Sequence, residues 1–253
     1  LMEQEKFKSI KENLEKNNDN TRGFSMDVLF SLAKEDDGFE FKTQIMELLH
    51  YIVGDQRSHI YQRIQYLSRK NNSRTLLTNE YFSSQLWFLP FGIGLKIDNV
   101  SNHLKNYMEK MKEFQEFEIL IINSSIKHIK NLKNHIQQVE NKAKNEGKRG
   151  LILLAGNQCS LGITLPLVDT VFLLNNISSC DKIIQMMYRC MSESSDGSKK
   201  MGFVVDFNIN RILHTFMEYP LVFDKSLNSK QKIEYMIENK LIHLDEDIFE
   251  SKE

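Results

Sequence analysis

Residues 150–175 read GLILLAGNQCSLGITLPLVDTVFLLN. Two apolar runs, Gly150 to Ala155 (GLILLA) and Asp169 to Asn175 (DTVFLLN), flank a stretch of small and polar residues with glycines at 156 and 162. Both runs are continuously apolar rather than alternating, which predicts strands buried on both faces. The same signature recurs outward from this stretch, at Leu86-Trp87-Phe88-Leu89-Pro90, at Phe117 to Asn123 (FEILIIN) and at Gly202 to Phe207 (GFVVDF). Helical spacings lie between them. Residues 98–115 place Val100, Leu104, Tyr107, Met108 and Met111 on one face, with Asp98 or Ser101 as the cap. Residues 125–146 carry Ile126, Ile129, Leu132, Ile136 and Val139 and are closed by Gly147. Residues 181–191 are also helical in pattern. Five buried strands, separated mostly by helices, predict an α/β fold with a parallel sheet and helix cover.

Composition narrows the function classes. The 253 residues hold 33 Lys+Arg against 34 Asp+Glu, a formal charge of -1, so no global field draws the chain to nucleic acid or an anionic membrane. At 41% hydrophobic and 26% charged it has the make-up of an ordinary globular protein. No run approaches the ~18 apolar residues of a membrane span, and the charged start, Leu1-Met2-Glu3-Gln4-Glu5-Lys6, is unlike a signal peptide. A leucine at position 1 leads us to expect a chain cut from something longer. Cys159, Cys180 and Cys190 are too few for a disulfide framework and match no zinc spacing. They are expected to be small buried hydrophobes in a reducing, cytoplasmic compartment.

Three regions follow. Residues 1–84 form a helical accessory or linker region. Phe41, Ile45, Leu48, Leu49, Ile52, Ile60, Ile64 and Leu67 recur near the helical period, and Gly54-Asp55 breaks the stretch in two. Residues 85–215 hold the sheet. Residues 216–253 are terminal helices and an acidic tail, with seven acids against two lysines over 234–253.

Ligands of parallel sheets sit beyond the carboxyl ends of the strands. Two segments near strand ends stand out. The loop Gly156-Asn157-Gln158-Cys159-Ser160-Leu161-Gly162-Ile163-Thr164 joins glycines to small polar residues, a combination that brings backbone amides close to phosphate. It also fits a tight connection with no ligand. The helix Asp181 to Glu193 carries Gln185 and Arg189 four apart, hence on one face. An arginine fixed there stabilises charge on a transferring phosphoryl group. It also fits a salt-bridging pair.

Together the two segments and the five strands resemble the second RecA-like lobe of a superfamily 2 helicase, over about residues 85–215. Residues 155–166 resemble motif V and Gln185 to Ser192 resemble motif VI. The phrasing of Gly162-Ile163-Thr164-Leu165 followed by Val168-Asp169-Thr170-Val171 is similar to helicases of poxviruses and giant viruses. The resemblance implies a RecA-like sheet of about five strands with a helical N-terminal region. It also implies ATP with Mg, bound mainly by a first RecA-like lobe supplied in cis or in trans. Gly162, Thr164 and Arg189 would face nucleotide, with Arg189 and Gln185 catalytic. The DNA or RNA backbone would meet Asn123, Ser124, Asn157 and Gln158, with Pro90 to Gly94 nearby. A viral replication site is a further location it implies. No membrane partner is expected.

The pattern departs from the family at four positions. Gly156 stands where motif V usually has Thr, Thr164 for its acidic residue, Tyr188 for the motif VI glycine, and Ser192 for the second motif VI arginine. No G-x-x-x-x-G-K-[ST] occurs, so a phosphate-cradling loop is missing and the chain alone should not hydrolyse ATP. Two readings stay open: the motor lobe, and a degenerate RecA-like module that binds or scaffolds nucleic acid without catalysis.

Overall fold

Five strands form where the apolar runs lie: β1 (Ser83–Phe88), β2 (Phe117–Ile122), β3 (Gly150–Ala155), β4 (Val168–Leu173) and β5 (Phe203–Asp206). They pair in the order β2-β3-β1-β4-β5, and every pairing is parallel. This is the RecA-like α/β architecture expected from the sequence. The computed structural model describes residues 25–34, 38–54, 59–73, 82–92, 95–122, 132–157, 159, 165–194, 197 and 199–240.

Helices join the strands. In chain order they are α1 (Met26–Leu29), α2 (Lys42–Val53), α3 (Ile60–Lys70), α4 (Ile97–Met108), α5 (Leu132–Asn145), α6 (Cys180–Met187), α7 (Ile209–Glu218) and α8 (Ser229–Lys240). Short 3-10 turns follow α4 at Lys112–Phe114, α6 at Tyr188–Cys190 and α7 at Tyr219–Val222. Contacts divide the chain into two units. One runs to Ile177 and resumes over Gln185–Phe207; the other takes Ser178–Ile184 and the residues from Asn208 on.

In the first unit the register sorts side chains by face. Gln85, Ile152 and Thr170 lie level across β1, β3 and β4, as do Trp87, Leu154 and Phe172. Successive strand residues point to opposite faces, so these six share one face. The residues that cover it come from far away in sequence. Met26, Leu29, Phe30, Ile45, Leu49 and Ile52 of the N-terminal helices join Val100, Leu104 and Met108 of α4 in one buried cluster with Trp87, Ile152, Leu154 and Phe172. Trp87 is fully buried, with its ring 4.6 Å from that of Phe172 and 6.0 Å from that of Phe114. Each such side chain contributes on the order of 2 kcal/mol by leaving water.

The structure moves several boundaries. β1 begins at Ser83, before the expected Leu86, because its polar residues find remote partners. Ser83 Oγ donates to Asp169 Oδ2 at 2.7 Å, and Gln85 Oε1 accepts from Tyr61 Oη and Trp87 Nε1, both at 2.9 Å. Such bonds lower the cost of burying these polar residues, although Gln85 Nε2 is buried without a partner. Neither Asp98 nor Ser101 caps α4. The helix starts earlier, after Lys96, and Ser101 lies inside it, donating back to Ile97 O at 2.6 Å. Asp98 falls in the first turn, where the helix dipole favours an acid. Gly147 follows α5 at φ 70°, a left-handed conformation that suits glycine at a helix end. The break at Gly54 holds, with α2 ending at Val53.

The described residues of the second unit are helical apart from their connections. Asn208 Oδ1 accepts from Arg211 N at 3.2 Å and caps α7. Tyr219 is buried, and the Phe223 and Tyr235 rings stack at 5.8 Å. Among the described residues no helix is long and apolar enough to cross a membrane.

Candidate nucleotide-facing site

In this order β3 and β4 flank β1 and all three run parallel, so the loops after them leave from the same, carboxyl edge of the sheet. The ladder runs one residue past the strands there. Leu89 N donates to Ala155 O at 2.8 Å and Leu174 N to Phe88 O at 2.9 Å. Gly156 follows directly. A Cβ on it would lie 3.2 Å from Ile97 Cγ1 and 3.7 Å from Phe91 Cδ1. A side chain at this position would therefore press on Ile97, which would have to give by a few tenths of an ångström. Phe91 is 36% exposed and Asn157 is also exposed, so an aromatic ring and an amide stand together at this edge.

Two asparagines follow β4, and each reaches a different partner. Asn175 Oδ1 accepts from Ile177 N at 3.3 Å, and its Nδ2 contacts Met186 Sδ at 3.5 Å, which ties the loop to α6. Asn176 Oδ1 accepts from Met26 N at 3.2 Å and its Nδ2 donates to Ser25 Oγ at 2.7 Å.

Arg189 sits on the 3-10 turn that closes α6, half-buried, with Nε donating to Gln185 O at 3.2 Å. Its guanidinium is near enough to Cys159 to act on that thiol. The structure therefore places the Arg189 turn within electrostatic reach of Cys159, in the loop after β3. Burial pushes the Cys159 thiol up to about 12, and Arg189 partly offsets the rise. Behind Arg189, burial pushes Cys190 up to about 12, with Lys199 lowering it and Asp169 raising it. Both are buried free thiols, as expected. Cys180 is partly exposed.

The Arg189 turn rests on glycine. A Cβ on Gly202 would fall 2.2 Å from Cys190 O and 2.8 Å from Cys190 Sγ, so β5 approaches this turn as only glycine permits.

Of the expected site residues, Gln185, Arg189 and Asn157 are placed as above. Gly162, Thr164, Asn123, Ser124 and Gln158 lie outside the described residues. Lys142, Lys144 and Arg149 face Glu146, Glu140 and Glu116, and Lys148 Nζ donates to Gln115 O at 2.8 Å. Glu116 and Arg149 stand just before β2 and β3, at the amino edge of the sheet and away from the loops above. Residue-by-residue reading missed the buried polar group Ser83, Asp169 and Lys199. Its signal was an acid inside a fully apolar strand. Among the described residues no group of three or more His, Cys, Asp or Glu could hold a metal.

The thiols set an alkaline limit. Their ordinary pKa of 9.0 rises on folding, so the native state keeps protons that the unfolded chain loses. That contribution to stability is complete below pH 9.0 and is lost as pH climbs towards about 12. The urea midpoint should therefore fall from pH 9 upward. Relative to its own value at neutral pH, Cys190→Ala should fall less steeply. Parallel declines would remove Cys190 as a cause.

No family model matches the chain, and no curated protein matches it. Among solved structures it is similar to the Mycobacterium smegmatis helicase Lhr bound to ssDNA and AMP-PNP, at 14% identity and a TM-score of 0.35, over 69% of this chain and 20% of that one. It is also similar to domain 2 of the DEAD-box helicase Mss116p bound to an RNA duplex, at 15% identity and a TM-score of 0.37, over 76% of this chain and 66% of that one. The C-terminal domain of the DEAD-box protein Dbp5 aligns at 12% identity and a TM-score of 0.34, over 72% of this chain and 90% of that one. The chain thus spans about a fifth of the Lhr chain. These identities and scores are too low to carry a function across.

Proposed function

We propose that this chain is the carboxy-terminal motor lobe of an ATP-dependent superfamily 2 helicase or translocase. The observation that carries the reading is that the Arg189 turn lies within electrostatic reach of Cys159 in the loop after β3, where the motif VI and motif V resemblances coincide. An arginine held there can meet the phosphates of a nucleotide bound by a first lobe, in the same polypeptide or on another chain. ATP with Mg would supply the phosphoryl group and its charge neutralisation, and the first lobe would hold most of both. This chain's own part is to present the Arg189 guanidinium with Gln185 beside it, and to offer Gly162 and Thr164 along the loop.

Nucleic acid is the proposed second ligand. Asn157 and Phe91 at the carboxyl edge, with Asn123, Ser124 and Gln158, offer amide, hydroxyl and ring contacts suited to backbone recognition without sequence choice. Closing of the two lobes on ATP would complete the site, and the 156–164 loop would couple nucleotide state to the grip on the strand.

Nucleic-acid-stimulated ATP hydrolysis tests the reading. It should be measured on the 253-residue chain and on the same chain joined to a first lobe. Turnover only in the joined form is expected. Turnover in neither would favour a non-catalytic nucleic-acid-binding module, a reading to which Ser192 and Thr164 also point. Turnover by the chain alone would overturn the half-site assignment.

A further inference from the structure

Lys199 is 7% exposed, an unusual place for an ammonium group. Its Nζ donates to Pro166 O at 3.1 Å and Val168 O at 3.0 Å, the residues through which the connection after β3 enters β4. Its own backbone amide donates to Ser194 Oγ at 3.0 Å, in the segment that leaves the Arg189 turn. Asp169, fully buried beside Val168, and the Cys190 thiol are close enough to act on it electrostatically. Asp169 is itself held by Ser83 Oγ at 2.7 Å. Burial lowers the pKa of Lys199, and Cys190 and Asp169 oppose that shift. A methionine would fill the same space without desolvating a charge. The one thing it lacks is the pair of hydrogen bonds to the root of the loop.

We propose that Lys199 is a positioning residue that ties the root of the 156–167 connection to the segment behind Arg189, so that displacement of either is carried to the other. The inference rests on the motor-lobe reading for its use: it names the part through which nucleotide at Arg189 and nucleic acid at the loop would sense one another. Two discrete attachments at one buried residue, Nζ to the loop root and the backbone amide to Ser194, are what such coupling needs physically. Gly202, which lets β5 press on Cys190, keeps that segment in place on its other side.

Amide hydrogen exchange on the 253-residue chain, with no ligand present, decides the mechanical claim. In Lys199→Met, exchange at residues 165–168 and at 191–194 should rise together, by about tenfold, while the β2–β3 pair is unchanged. Lys199→Arg, which keeps two donors, should restore both segments. Ser194→Ala removes only the hydroxyl tether and should give the same pattern at smaller size. It carries the test if the methionine variant does not fold. A rise in one segment alone, no rise, or an equal rise throughout the sheet would overturn the proposal.

A second arm separates this from the function it rests on. Single-stranded oligothymidylate and oligouridylate are added in turn. In the unmodified chain, protection at the loop should be accompanied by protection at 191–194, and Lys199→Met should lose the latter alone. Protection that persists there in Lys199→Met would also overturn the coupling. If neither oligonucleotide protects any segment of the unmodified chain, the nucleic-acid reading fails. The ligand-free exchange still decides the role of Lys199.

Discussion

Arg189→Ala, made in the chain joined to a first lobe, should lower ATP turnover by about a thousandfold, the scale of an arginine that stabilises a transferring phosphoryl group. The fold should survive. Arg189 is half-buried and donates to the Gln185 carbonyl four residues back, so its removal should cost about 1–2 kcal/mol. Thermal melting checks the fold and single-turnover hydrolysis checks the chemistry. Arg189→Lys should not restore the rate, because an ammonium lacks the planar fork that meets phosphate oxygens in pairs. A rate equal to that of the unmodified protein would remove Arg189 from catalysis. The missing second arginine, replaced by Ser192, makes this outcome decisive for choosing between motor and passive module.

Gly202→Ala should be a strongly damaging small substitution. A single methyl at that point would sit 2.2 Å from Cys190 O and 2.7 Å from its carbonyl carbon. These are backbone atoms, which no rotamer change can move aside. Either β5 or the Arg189 turn must shift, at a cost of about 3 kcal/mol, the upper part of the range for overpacking. For a domain of this size that lowers Tm by about 10 °C. Gly92→Ala is the control, since a Cβ there meets nothing within 4 Å. It should stay within about 0.5 kcal/mol of the unmodified chain. Equal melting of the two variants would mean that the close approach at Cys190 does not exist in solution. In the joined motor, Gly202→Ala should also reduce turnover, because the displaced segment carries Arg189.

The strands were legible because they are buried on both faces. An apolar run such as Gly150–Ala155 needs no partner information to be recognised, and its bounds agree with expectation. β1 was legible only in its second half. Ser83, Ser84 and Gln85 are polar, yet all are buried, with Asp169 and Leu167 O bonding the Ser83 hydroxyl and Tyr61 and Trp87 bonding the Gln85 carbonyl oxygen. Those partners are spread from residue 61 to residue 169, beyond the reach of any local pattern. Arg189 and Gln185 were legible as polar positions on an apolar helix. Lys199 was not, since it follows two charged or flexible-looking stretches and reads as solvent-facing.

By itself, then, the sequence determined that this protein has five strands with helices between them, a parallel sheet, and a loop and a helix whose residues suit phosphate chemistry. These are local matters of hydrophobic run, period and residue type. The tertiary structure alone decided the order β2-β3-β1-β4-β5 and the closing of one sheet face by helices from Met26 to Lys70. It alone put a lysine and an aspartate in the core beneath the Arg189 turn. Pairing order and buried polar partners arise between residues far apart in the chain. Their energies exist only once the strands have docked, and no local window contains them.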